Sequence, residues 1–267
     1  MEVESFAGND RRMMDWIRFA LWVCFIPSAC LLGVDKPDFP FQSGETLTYD
    51  LKWGLFPVGS AKMVVESGLD DNQTAQHKLT FSVRTNDFAD AFYKVRTNIT
   101  SVIDYSFKRS LRYEKSQREG KTKREIEVLF DYDSKKAKYH ESDRLISTIS
   151  IPDQVFDPLA IAYFFRLSEL KPNSETNLPT CDGRKFQDIK VRSGSVEKVR
   201  VPAGTFQAIG TIPEMKNLSG VFKKSPKGIL RVWYSNDFRR IPVKISSKVV
   251  VGSFTARLVE AKGLKKK

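Results

Sequence analysis

The residues with the most chemistry to offer lie in one short run near the C-terminal end. Leu230-Arg231-Val232-Trp233-Tyr234-Ser235-Asn236-Asp237 is followed at once by Arg239-Arg240-Ile241-Pro242-Val243. An aromatic strand, an Asn-Asp turn and a second apolar strand in that order read as a hairpin, which brings Trp233, Asp237 and Arg240 near one another. An arginine fork matches the oxygens of a carboxylate or phosphate, so this cluster can hold an anionic or amphiphilic ligand. An ordinary turn beside core aromatics accounts for the same residues. Alternation places Trp233 and Ser235 on one strand face and Leu230, Val232 and Tyr234 on the other, so Trp233 lines either an interior or an outer surface.

A second candidate is Arg166. Asp157-Pro158 supplies a helix N-cap and a proline at the first helical position, and Leu159 to Leu167 is continuously helix-compatible and apolar, ending before Lys171-Pro172. This predicts one substantial helix over about 158–168, apolar nearly all round and therefore buried against the sheet through Leu159, Phe164 and Leu167. Asp157 caps it. An arginine on such a helix must reach solvent or find an acid, with Glu45, Asp157 and Asp237 as the available partners. The alternative is that Arg166, with Glu45 nearby, contacts an anionic ligand.

Enzyme templates are missing. The chain has no Gly-x-Ser-x-Gly elbow, no phosphate-binding glycine loop and no cysteine pair at zinc spacing. His77 and His140 are far apart, and His140-Glu141-Ser142-Asp143-Arg144 lacks the second histidine of a zinc-protease helix. No metal or cofactor is expected. Paired carboxylates leave no readable motif, so a hydrolase built on acids such as Glu45 and Asp237 is the catalytic alternative.

The elements that must position these residues are strands. Leu47, Tyr49, Leu51 and Trp53 alternate with polar neighbours, as do Ala61, Met63 and Val65, then Leu79, Phe81 and Val83, and later Ile126, Val128, Phe130 and Tyr132. The stretches 92–104 and 107–117 continue the pattern. Further strands are predicted at about 186–192, 195–202, 204–212, 229–235, 241–250 and 252–260, punctuated by Pro202-Ala203-Gly204, Pro226-Lys227-Gly228 and Gly252. Roughly a dozen such strands predict a mainly β fold: a single antiparallel barrel, or a strongly curved half-barrel, with the one helix buried against it.

The formal charge is +12. Removing the first 33 residues takes away three basic and four acidic side chains, so the remainder is the more basic part. Residues 1–33 read as an export signal, with Arg11, Arg12 and Arg18 ahead of an almost uncharged apolar run from Phe19 to Gly33. That run falls short of the ~20 residues that span a bilayer. Cleavage is expected between Cys30 and Asp35, and Ser28-Ala29-Cys30 also offers a lipid-anchoring cysteine, although Pro27 departs from the usual box. With Cys24 and Cys30 in the signal, Cys181 is the lone thiol of the domain expected over 41–262 and reads as a turn residue without a neighbouring base. A periplasmic or envelope location removes nucleic acid as a partner and leaves anionic lipid, an acidic envelope polymer or an envelope protein. The strand residues Lys108, Arg112, Glu114 and Arg118 read as a solvated outer face, and the tail over 263–267 adds basic residues that suit an anionic membrane.

Several blocks then line up with a known pattern: Phe41-x-x-Gly44-Glu45-x-Leu47-x-Tyr49, Asp157-Pro158-Leu159 leading to Tyr163-Phe164-Phe165-Arg166, Val201-Pro202-Ala203-Gly204-x-Phe206, the Trp233 and Arg240 blocks, and Gly252-x-Phe254-x-Ala256-x-Leu258. In that order they resemble the bacterial exported proteins of the domain of unknown function 3108 family, over about residues 41–258. The resemblance implies a β-rich envelope protein and assigns no catalytic residue. The reading is a non-catalytic exported protein that binds a lipid or other amphiphilic envelope component. An envelope assembly or scaffold factor with a packed interior is the first alternative, and the carboxylate hydrolase the second.

Overall fold

The computed structural model describes residues 37–167, 169–214, 229–249 and 252–267. The expected export signal with Cys24 and Cys30, the end of the expected helix at Ser168 and the Pro226-Lys227-Gly228 turn lie outside the described residues. Phe39–Lys267 forms one compact unit.

Among the described residues fourteen strands make one antiparallel sheet. They are β1 (Thr46–Trp53), β2 (Phe56–Leu69), β3 (Ala75–Thr85), β4 (Val95–Asp104), β5 (Ser110–Glu119), β6 (Thr122–Asp131), β7 (Lys136–Glu141), β8 (Arg144–Ser150), β9 (Glu175–Cys181), β10 (Phe186–Val201), β11 (Gly204–Pro213), β12 (Ile229–Ser235), β13 (Pro242–Val249) and β14 (Gly252–Lys262). The spatial order starts at β8, counts down to β1, passes to β14 and counts down to β9. Sequence neighbours therefore pair as a meander, and the β1–β14 pairing joins its two halves. Among the described residues two short helices are present, α1 (Asp87–Asp90) and α2 (Ala160–Leu167).

The sheet is mainly β and curved as expected, but β8 and β9 do not pair, so the half-barrel and not the closed barrel is correct. The gap is covered by packing. Val155 accepts a hydrogen bond from the Ser110 amide at 2.9 Å, Phe156 bridges to Thr180 in parallel, and the β9–β10 turn rests Gly183 on Val128 and Tyr139 of the inner face. Ser147 Oγ donates to the Gly183 carbonyl at 3.2 Å, and Arg184 reaches Glu141 at 3.1 Å.

Three strands were not expected. β7, β8 and β9 are short and polar, and β7 buries only Ala137 and Tyr139 on its inner side, which hides the alternation. The segments expected at 186–192 and 195–202 are one strand, β10, bent by a register shift between Ser193 and Val196. Such a bulge bends a strand without ending it.

In an antiparallel meander successive turns fall at opposite ends. The β2–β3, β4–β5 and β6–β7 turns share one end with the start of β1 and the connection between β12 and β13. Helix α2 plugs that end: Tyr163 packs edge-on against Phe41 at 5.6 Å and lies 6.4 Å from Phe107 of the β4–β5 turn. Leu159, Phe164 and Leu167 pack in or against the core as expected, Phe164 and Leu167 only half-buried, and Ala160, Tyr163, Phe165 and Arg166 are buried as well. The basic tail is tied to the same end, where Lys265 Nζ donates to the Phe39 carbonyl at 2.7 Å and Gln42 Nε2 to that of Gly263 at 3.1 Å.

Candidate functional site

The expected site residues separate into three groups. Arg166 and Glu45 form a bidentate pair, Nη1 to Oε1 at 2.5 Å and Nη2 to Oε2 at 2.9 Å, with both side chains inaccessible to solvent. Burial acts against the Arg166 charge, and the Glu45 carboxylate more than offsets it, holding the guanidinium above its ordinary value. The third donor, Arg166 Nε, binds the Arg239 carbonyl at 3.1 Å, and the plane lies over Phe41 at 5.1 Å. Each of the three guanidinium nitrogens thus has a protein partner. Of the three acids weighed for it, Glu45 is the partner.

Asp157 is committed elsewhere. It accepts from Ser101 and Ser110 and from the Leu159 and Ala160 amides, the last two at 2.8 and 3.0 Å, which is the expected helix cap. Asp237 belongs to the β12–β13 turn, where hydrogen bonds from Arg239 and Ser235 outweigh its partial burial and hold its carboxyl below the ordinary range. Arg240 Nε donates to the Arg166 carbonyl at 2.7 Å. Asp237 and Arg240 border a shallow depression of about 320 Å³ with Glu169, Leu170 and Phe238.

Trp233 lies apart from these. Register places Trp233 opposite Lys244, Lys244 opposite Arg257, Arg257 opposite Asp50 and Asp50 opposite Ser60, a polar row on the outer face. Its indole donates to Glu197 at 2.6 Å beneath Arg231 and Lys244. The ring is buried as part of the main apolar cluster and does not border the depression beside Asp237. Cys181 is buried, and desolvation pushes its thiol up to about 11, which leaves it inert near neutral pH. Among the described residues no group of His, Cys, Asp and Glu could hold a metal ion.

The arrangement with more to offer lies on the inner face, beyond the reach of α2. Leu47, Met63, Phe81, Ile99, Lys115 and Ile126 form one register row, and Ala61, Val83, Thr97 and Gln117 form the next. Leu47, Met63 and Ala61 are buried, whereas Phe81, Val83, Ile99, Ile126 and Lys115 are only half-buried. Leu51 and Ile245, facing the same way, are half-buried too. An inward-facing side chain stays accessible only where the space in front of it is unfilled. These side chains pack against the main apolar core and keep part of their surface accessible, and among them stands Lys115, whose cationic form burial disfavours, lowering its pKa, with Glu119 and Arg124 acting on it in opposite directions. Lys115 escaped notice because the basic run 108–124 reads as a solvated face. Its parity with Tyr113, opposite to that of Arg112 and Glu114, was the available signal.

The whole architecture can be compared with known proteins. The model of the family described as Protein of unknown function (DUF3108) matches residues 48–259. The chain belongs to the DUF3108 family. Its fold is similar to the crystal structure of a β-barrel-like protein of domain of unknown function DUF1849 from Brucella abortus, at 12% identity and a TM-score of 0.54, covering 85% of this DUF3108 chain and 100% of that one. A protein from Bacteroides fragilis described as a putative exported protein with YmcC-like fold is matched over 84% of this chain and 98% of its own at 12% identity, with a TM-score of 0.36. No curated protein matches this DUF3108 member.

Proposed function

We propose that this is an exported protein of the cell envelope that binds the apolar part of an acidic amphiphile along the inner face of its half-barrel. The observation that carries this reading is the row of half-exposed apolar residues facing an interior that α2 fills only at one end. Export rests on the positive front and apolar run of residues 11–33. Lys115 is the group suited to an acidic head, because its charge sits among Ile99 and Ile126 and gains most from an anion that arrives with the ligand. The Glu45–Arg166 pair is structural in this reading.

Substitution of Val83 by tryptophan separates a ligand-holding trough along that face from a packed scaffold. Val83 faces inward between Ala61 and Thr97, so an unfilled interior accepts the larger ring. The expected result is unfolding near the wild-type temperature together with loss of the acidic amphiphile that co-purifies with wild-type protein in native mass spectrometry. A stability loss of about 1 to 3 kcal/mol, the usual cost of overpacking, with no amphiphile on either protein, would support the packed scaffold instead.

A further inference from the structure

The end opposite α2 carries an uncovered aromatic rim. The β1–β2, β3–β4 and β5–β6 turns and the start of β14 meet there, since Trp53 pairs with Phe254. Trp53, Leu55 and Phe56 occupy the first turn, Phe88, Phe92 and Tyr93 the second, and Phe254 closes the row. All seven are exposed, Leu55 at 87% and Phe92 at 79%. The rings support one another: Trp53 stacks with Phe254 at 6.3 Å and Phe56 with Phe88 at 6.4 Å, and Phe92 meets Phe88 edge-on at 5.6 Å.

The rim is built, not frayed. Asn86 caps α1 through the Ala89 amide at 3.0 Å and donates to the Pro57 carbonyl at 3.0 Å, locking the second turn to the first. The Gly120 amide donates to the Lys94 carbonyl at 2.8 Å, and Gly120 sits so close under Tyr93 that a Cβ there would lie 2.7 Å from the ring. That contact brings in the β5–β6 turn, where Arg118, Lys121, Lys123 and Arg124 face one acid, Glu119. Arg118, Lys121 and Lys123 make no ion pair among the described residues.

We infer that this rim docks the protein on an anionic membrane surface, with the aromatic and Leu55 tips in the headgroup region and the β5–β6 turn basic residues against the lipid phosphates. Aromatic rings at the boundary between apolar and wet regions are the side chains that membrane interfaces favour, and neighbouring cations add attraction to anionic lipid that salt weakens. Among the described residues no helix is long and apolar enough to cross a membrane, so the contact proposed is interfacial. It stands on the rim alone and does not need the trough to hold a ligand.

The test places an environment-sensitive dye on the full chain with Cys24 and Cys30 replaced by serine, at Leu55→Cys in one preparation and at Asn72→Cys, in the β2–β3 turn at the far end, in another. Vesicles of phosphatidylcholine containing phosphatidylglycerol should shift the dye at 55 to the blue and leave that at 72 unchanged. Pure phosphatidylcholine should shift it far less. Reversing two charges with Lys121→Glu and Lys123→Glu should weaken the transition at 55 by at least roughly tenfold. The inference is overturned if the dye at 55 stays in water with anionic vesicles, if both positions shift alike, or if charge reversal changes nothing. A shift at 55 that depends on protein concentration without vesicles would assign the rim to a second copy of the chain and overturn it equally.

Discussion

Arg166 and Asp157 illustrate what a single side chain can and cannot reveal. That an arginine on an apolar helix needs an acid was legible from residue type. Which acid was not, because Glu45 lies 121 positions away and only the β1–β14 pairing and the seating of α2 bring it within reach. Removing the carboxylate charge with Glu45→Gln leaves the guanidinium buried and uncompensated, so the expected loss is ~3 to 5 kcal/mol in chemical denaturation, with amphiphile bound per folded molecule unchanged. Loss of bound amphiphile at wild-type stability would return the pair to the ligand site. Asp157 yields a pH prediction. Burial raises its carboxyl above the ordinary range, and the hydrogen bonds from Ser101, Ser110 and the helix amides only partly counter this. In the window from the unfolded value of about 3.9 up to the higher folded value, the native state holds more proton than the unfolded chain. Its contribution to stability is therefore full below that window and declines as pH rises through it. Asp157→Asn keeps an acceptor for the helix amides and removes the titration, so wild-type stability minus variant stability should fall across the window; a flat or rising difference would falsify the assignment.

Among the elements, legibility followed the chemistry of the two faces. β1, β2, β3 and β6 alternate apolar and polar residues cleanly because one side packs and the other is wet, and they stand close to where alternation puts them. β7 and β9 failed the same test because Lys136, Lys138 and His140, or Glu175 and Pro179, dominate their composition, and their few inward residues are too sparse to set a period. The short helix α1 has no apolar face to read, since none of its residues is buried. The seam between the two ends of the sheet was invisible for a different reason: it is made by the Val155–Phe156 segment, bonded through its backbone to Ser110, Pro179 and Cys181, and by the β9–β10 turn, and not by pairing of β8 with β9. Gly183 is its narrow point, at φ +85° with an added Cβ only 2.6 Å from Val128 and 2.9 Å from Tyr139. Gly183→Ala combines a left-handed backbone with overpacking. It should cost about 2 to 4 kcal/mol by those two effects, read as a lower midpoint in denaturant, and should admit protease at residues 182–185 before global unfolding. An unchanged midpoint would mean that the seam contributes nothing to holding the half-barrel.

At the scale of the whole molecule the half-barrel divides into a packed end and an open one, and its functional reading depends on that division. The packed end holds α2, the Glu45–Arg166 pair, the Phe39, Phe41, Phe107 and Tyr163 rings and the docked tail; toward the other end lie the half-buried inner-face rows and the rim. The hairpin of Trp233 and Asp237, the richest chemistry in the sequence, does not gather its residues in one place: Trp233 is buried beside Glu197, and Arg240 bonds to the Arg166 carbonyl at the packed end. What the sequence did not disclose was which inward residues the helix would leave uncovered, because coverage is set by where a helix of only a few turns comes to rest in a wide sheet. Amide exchange should report the same division. Strand amides paired near Leu47, Met63 and Leu79 should exchange only through global opening, whereas those near Val83, Thr97 and Gln117, backed by an unfilled interior, should open locally at lower free energy. A ligand that occupies the trough stabilises only the closed form, so an acidic amphiphile at a hundred times its dissociation constant should slow the second set by roughly a hundredfold. If instead both sets exchange alike and respond alike, the interior is uniformly packed and the molecule works through its surface.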